Sequence, residues 1–438
     1  MTARRVVVTG LGPVSPIGIG KEAFLESLRS GKIGIDRITV FAPDSFRSQI
    51  AGAIPEFRCA DYVPKSYRKS IKVMARDIEL SVAGADQAVR DAGLVTKGIN
   101  PESPQVDSTR LGVNIGAGLI CSDLNELVYA LSMAEDADHK FSLAKWGESG
   151  MNHLTPLWLL KYLPNMLACH VTIIHDAQAP SNTITCAEAS SPLAIGEAYR
   201  TIVRNCADVC LCGGFESKVN PMGLIRQDLL NRLTRAHNDC PACAVRPFDV
   251  KRSGTAVAEG GSVLTLESLE SAQRRNAKIY GELVGVGASF GTVDFVRPEE
   301  DGHAMAVAIE RALADAKIDA GSVDLVVGFG CGTREHDQAE AKAIHQALGD
   351  VRVVSIKGQT GMMGAGTGAL DATVALLAIS ENFIPGTVNC DEVDPACPIQ
   401  VVRKTTDEKV NTVVTLSYSL NGGQIGALVF KRYEGEGS

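Results

Sequence analysis

The chain has 438 residues, 45% of them apolar and 21% charged, and a formal net charge of -8. That length is ample for a large core and suggests about three domains on a prior of ~150 residues each, while the composition lies far from that of a disordered chain. The net acidity argues against a general nucleic-acid binder.

At the N-terminus, Arg4-Arg5 precede three valines, but the apolar run stops at Thr9-Gly10, too short for the core of a signal peptide, and reads as a first strand. Gly10-Leu-Gly12 fails the dinucleotide-binding spacing because the next glycine is Gly18 and two prolines intervene; the same loop fails the P-loop spacing. From Lys65 the cations Lys65, Arg68, Lys69, Lys72 and Arg76 recur at helical spacing, which gathers them on one side of a helix; this is either a solvated face or a dock for an acidic partner. The longest apolar stretch, Leu154 to Ile174, contains Pro156, Lys161, Pro164 and His170 and is a poor membrane span. Twelve cysteines without a secretory leader read as reduced thiols. A cytoplasmic protein that meets neither membrane nor nucleic acid is expected.

A duplication is legible. Ser81 to Gly93 is echoed by Met305 to Ala316, and each helix precedes a strand running into glycines, Arg110 to Gly118 and Asp324 to Gly330. Asn182 to Cys186 then enters a helix after Pro192, as Val353 to Ile356 leads through glycines into the helix Ala369 to Ile379. Both halves return through apolar strands, Asp208 to Cys212 and Thr412 to Leu416, and Lys278 to Gly287 opens the second half as Arg5 to Gly12 opens the first. Two such halves predict sheets covered by helices, with a site where strand ends converge. The halves are 1–255 and 256–438, give or take a strand, with an insertion at about 119–180 that carries Trp146 and Trp158.

The chain turns on the corner between Asn182 and Ile202. A side chain there points at the open end of the sheet and feels the positive end of the following helix, which favours an anion. Glu188 occupies that place, and by itself reads better as an ordinary first-turn glutamate that stabilises the helix.

Nearly the whole chain resembles the β-ketoacyl-[acyl-carrier-protein] synthase family. The matching pieces are Arg4 to Gly18, Arg246-Pro-Phe-Asp249, Asp337-Gln-Ala-Glu-Ala341, Lys357 with Thr360-Gly361, and Gly422-Gly423. The resemblance implies the α/β, five-layer αβαβα thiolase fold, no cofactor beyond the phosphopantetheine arm of a carrier protein as substrate tether, and no metal. It also implies that the segment at Lys65, Arg68, Lys69 and Lys72 docks an acyl carrier protein. The insertion corresponds to one that covers the acyl pocket and contributes to the dimer contact.

In that family a cysteine nucleophile lies eight residues before the glycine of an Ile-Gly-x-Ala, and here that count from Gly196 lands on Glu188. The two family histidines fall on Phe329 and Met362. Lys357 keeps its family place and is expected to offset a buried Glu188. Ser419, Leu420 and Asn421 replace the Phe-Gly-Phe gate, so a wider or ungated acyl tunnel is expected.

Condensation needs a thiolate to hold the acyl chain and donors to stabilise the enolate, and neither Phe nor Met donates such a bond. The most economical reading is a catalytically silent homologue. It resembles the chain-length-factor subunits of type II polyketide systems, which also replace the nucleophile, usually by glutamine, and pair with an active ketosynthase. Kept as alternatives are an active 3-oxoacyl synthase and an acyl or CoA transferase using Glu188 through a mixed anhydride. A homodimer is the alternative to the heterodimer. Cys186 reads as a buried structural thiol, His237 with Cys240 and Cys243 as a structural loop, and His336 as an acid or base or a solvent-facing side chain.

Overall fold

The computed structural model describes residues 4–291 and 296–435. The duplication organises it. The first half comprises β1 (Val6–Ser15), α1 (Arg76–Asp91), β2 (Leu111–Ala117), α2 (Met166–His175), β3 (Asn182–Ile184), α3 (Ser190–Val203), β4 (Val209–Ser217) and β5 (Val257–Ser268). The second repeats the series as β6 (Gly281–Phe290), α4 (His303–Ala316), β7 (Leu325–Val327), α5 (Arg334–Leu348), β8 (Arg352–Val354), α6 (Thr367–Glu381), β9 (Thr412–Tyr418) and β10 (Gln424–Lys431).

Strand order confirms the repeat. The first half runs β1, β5, β4, β2, β3 and the second runs β6, β10, β9, β7, β8, with β1 and β6 paired antiparallel where the halves meet. In each half the middle strands are parallel (β2 with β3 and β4, β7 with β8 and β9) and the return strand antiparallel. The sequence boundary at 255/256 therefore moves by one strand: β5 begins at Val257 but lies between β1 and β4, so the first half ends after it.

The helices form the remaining layers. α1 and α2 cover the outer face of the first half, and α4 and α5 that of the second. Between the sheets lie α3 and α6. α6 is buried along its length from Thr367 to Ile379, apolar on every side as a central helix must be. The outer α1 instead alternates a buried face, including Ile78, Leu80, Val82 and Val89, with solvent-side polar residues.

The two ends of the sheet differ. β8 carries a short neighbour, Gln400–Val401, on its outer side, whereas β3 pairs only with β2 among the described strands. The insertion forms short helices and leaves Leu119, Val128, Tyr129, Phe141, Leu143 and Leu159 exposed. No helix among the described residues is long and apolar enough to cross a membrane. The expectation of twelve free thiols is corrected at one place, where Cys240 and Cys243 are joined, while the other ten are free.

Candidate functional site

Strand ends from both halves meet at one place, as a doubly wound architecture dictates. Glu188 follows β3, Lys218 follows β4, Phe329 follows β7, Lys357 and Met362 follow β8, and Leu420 follows β9. The corner itself is sharp. Ala187 has φ 50, in the left-handed region that costs a non-glycine residue roughly 1–2 kcal/mol. Residues Ala187–Ala189 form a 3₁₀ turn, and the helix proper starts at Ser190, earlier than Pro192 alone would suggest.

Glu188 is 1% exposed. Its Oε2 accepts the Leu420 N–H at 3.0 Å, and its carbonyl accepts the Ser417 hydroxyl at 2.8 Å. Lys357 does not offset it, contrary to expectation. The Lys357 Nζ is fully engaged with Asp371, 2.6 and 2.8 Å from its two oxygens, beneath the Phe329 ring at 5.4 Å. Burial pushes the Asp371 carboxyl up to about 6 even with the ammonium beside it.

The cations that do face Glu188 are Lys218 and Arg232. Burial pulls the Lys218 ammonium down, but Glu216 and Glu188 more than offset this and hold it above its ordinary value. Lys218 Nζ lies 2.7 Å from Glu216, whose other oxygen accepts the Ala365 N–H at 2.7 Å. Arg232 is lowered by burial although Glu188 opposes the shift. Two carboxylates and two cations thus share the corner. Sequence reasoning missed both cations. Lys218 carried a signal, since it stands just past the end of β4; Arg232 sits in an irregular stretch without one.

The two histidine positions are apolar here. Phe329 and Met362 are both fully buried and belong to one cluster with Tyr418 and Leu420. The Phe329 ring packs on Tyr418 at 4.9 Å, and its N–H with that of Gly330 donates to Glu340 at 2.6 and 2.8 Å. Met362 offers only a thioether, 3.3 Å from the Gly364 N–H.

The loop Ser419–Asn421 is closed, not open. Leu420 N–H binds Glu188, its C=O accepts Arg232 Nη2, and Arg232 Nη1 lies 3.0 Å from Asn421 Oδ1. His336 is corrected as well: it is buried, bonds Thr333 Oγ1 at 2.9 Å and stacks on Tyr418. Burial, aided by Arg232, pushes its imidazole down to about 3, so it stays neutral at ordinary pH.

Beside this corner a cleft of about 610 Å³ is lined by Leu119, Thr185, Lys218, Leu229, Leu230 and Asn421. Glu188 lies behind its wall. Cys186 is half-buried, its thiol pushed up by burial, and its N–H donates to Ser190 Oγ at 2.8 Å. His237, Cys240 and Cys243 form no metal-ligand group among the described residues.

The basic face is only partly as expected. Lys65–Val73 is a 3₁₀ turn on which Lys65, Arg68, Lys69 and Lys72 are exposed. Arg76 begins α1 and turns inward to Glu259 at 2.9 Å, so it leaves the face.

Comparison with known proteins follows the same lines. A family model described as beta-ketoacyl synthase, N-terminal domain, matches residues 3–272, and one described as beta-ketoacyl synthase, C-terminal domain, matches residues 280–391. The chain is 33% identical over 438 residues to a 3-oxoacyl-[acyl-carrier-protein] synthase 2 of Vibrio harveyi, covering 99% of each. It is similar to a solved ishigamide ketosynthase/chain length factor, with a TM-score of 0.84 and 29% identity over 99% of this chain and 100% of that one. It is also similar to a chain from a type II acyl-carrier protein in complex with its ketosynthase bound to the hexaketide. There the TM-score is 0.84 and the identity 26%, over 99% of this chain and 100% of that one.

Proposed function

The chain belongs to the β-ketoacyl synthase family, and from that premise we propose that it is a condensation-silent subunit of fatty-acid or polyketide synthesis. It pairs with an active ketosynthase and limits how far the growing acyl chain extends. The observation that carries this reading is the corner itself. A nucleophile must reach substrate, whereas the Glu188 carboxylate is buried, lies behind the wall of the cleft and is held by the Leu420 N–H. The positions where enolate donors would stand are filled by Phe329 and Met362, packed as core.

The cleft remains, and a silent subunit has a use for it. Its mouth is edged by Leu119 and Leu229, 62% and 69% exposed, an unusual placement for leucines unless another surface covers them. The insertion adds further exposed apolar residues, among them Val128, Tyr129, Phe141, Leu143 and Leu159. Their number fits a large, partly apolar interface. The solved ketosynthase/chain length factor and the ketosynthase bound to a carrier protein support a ketosynthase partner and an acyl carrier protein for this chain also. The carrier would deliver its acyl group on a phosphopantetheine arm and meet the basic face at Lys65, Arg68, Lys69 and Lys72.

The test is co-production with an active ketosynthase, size separation and product analysis. A mixed dimer is expected, with product length altered when the cleft is filled or enlarged at Leu230. Stable homodimers with no mixed species, and products indifferent to those changes, would overturn the reading.

The name of the Vibrio harveyi relative favours a second reading, an elongating synthase. It requires acyl loading on Cys186 with turnover lost in C186A. The buried, bonded carboxylate of Glu188 gives the transfer reading no attacking group.

A further inference from the structure

Residue 420 is gripped at both of its backbone groups. Its N–H donates to Glu188 Oε2 at 3.0 Å, its C=O accepts from Arg232 Nη2, and Arg232 Nη1 holds the neighbouring Asn421 side chain at 3.0 Å. Glu188 is 1% exposed and Arg232 2%, so these are buried charge-assisted bonds, roughly twice as strong as neutral ones. The polarity is consistent along the chain: the anion meets the donor end of the residue and the cation the acceptor end.

This arrangement has no need of a substrate. Asn421, however, lines the cleft, so whatever fixes residues 420 and 421 also fixes one wall of the space an acyl chain would enter. Arg232 does not itself line that cleft. We propose that Glu188 and Arg232 form an ionic clamp across residue 420 which converts the gate loop into a rigid wall, making Arg232 a positioning residue that sets how deep an acyl chain reaches.

The second half of this proposal rests on the reading of the cleft as an acyl pocket. The clamp itself does not. It also gives the carboxylate at 188 a role that an uncharged acceptor fills only in part. A glutamine there still accepts the Leu420 N–H, but it removes the carboxylate charge that opposes the buried Arg232, whereas Lys218 keeps Glu216 at 2.7 Å.

Two measurements separate the claims. In the chain alone, amide hydrogen exchange followed by mass spectrometry is compared for the parent, E188L, E188Q and R232M. Peptides spanning residues 417–423 should exchange about tenfold or more faster in E188L and R232M, with those over Thr412–Leu416 unchanged, while E188Q keeps most of its protection. R232K, which retains the cation and loses the forked geometry, should fall between and serves if R232M does not fold. Unaltered protection of the loop in E188L and in both Arg232 variants overturns the clamp. The second measurement is product length from the mixed dimer, where R232M should give longer and more dispersed chains. Faster loop exchange with unchanged product lengths refutes the acyl-pocket reading and leaves the clamp standing.

Discussion

Replacing Glu188 by cysteine restores a nucleophile at the family position, and it should not restore condensation. The structure supports the first step. A thiol there would face Lys218 and Arg232, the two cations that now face the Glu188 carboxylate. Neighbouring cations lower a thiol pKa, and loss of the carboxylate also frees the Leu420 N–H that closes the corner, so E188C should form thiolate, become reachable from the cleft and accept an acyl group. The second step fails for want of donors. Removing one preorganised donor from an oxyanion-type site costs about 2.7–4 kcal/mol, so two missing donors cost roughly 5–8 kcal/mol, or on the order of 10⁴- to 10⁶-fold in rate. Phe329 and Met362 cannot make up the difference, since both are packed in an apolar cluster and one lies against Tyr418 at 4.9 Å. The assay is single-turnover condensation of acyl-carrier with malonyl-carrier, with intact-mass detection of the acyl-enzyme. Expected are an adduct on E188C, no elongated product, and detectable product only in E188C/F329H/M362H. Elongation by E188C within about a hundredfold of the triple variant would show that Phe329 and Met362 are not the missing positions.

Other outcomes are equally specific. K357M strands Asp371 in the core and should cost about 3–5 kcal/mol; with an unfolding entropy of roughly 0.9 kcal/mol/K for 438 residues, that lowers Tm by ~3–5 °C. K357M/D371L should recover most of the loss, and a calorimetric double-mutant cycle checks it. The folded chain holds His336 neutral down to about 3 while the unfolded chain protonates near 6.5, so stability should fall as pH drops through that window. H336F, which keeps a ring on Tyr418, should show a shallower fall in urea midpoint between pH 7 and about 5; an identical fall removes His336 from the account. Reversing Lys65 and Lys69 to glutamate should weaken carrier binding severalfold at low salt, measured by titration calorimetry. Equal affinity, or binding indifferent to salt, returns that turn to a solvated face.

The fold was legible because its signals are periodic. Helix and strand recur in the same sequence in both halves, so Ser81 to Gly93 and Met305 to Ala316 identified α1 and α4. β5 and β10 escaped because strands buried on both faces lack alternation; all twelve residues of β5 are buried. The positions of Glu188, Phe329 and Met362 came from the family resemblance, by counting from its motifs, and the structure brings their elements together. What surrounds them was not readable. Lys357 lies in sequence where a partner for Glu188 was expected, but Asp371, one α-helical turn into α6, lies closer in space. Arg232 comes from a segment 44 residues beyond Glu188 with no periodic signal, and only folding sets it against residue 420. The basic face lost Arg76 for a related reason: a 3₁₀ turn gives way to an α-helix between Val73 and Arg76, and the change of pitch turns Arg76 inward.

The edge of β3, unpaired among the described strands, and the exposed apolar residues of the insertion bear on how the protein can be handled. An unpaired strand edge offers main-chain donors and acceptors to any chain that approaches, and the exposed leucines of the insertion supply adhesion without directional demand. Three residues are too few to propagate a ladder. Self-association of the isolated subunit should therefore be reversible and grow with concentration, stopping short of fibres. Production without a partner would then yield a material whose apparent size, solubility and melting behaviour depend on how dilute it is, and a partner that covers the edge should abolish that dependence.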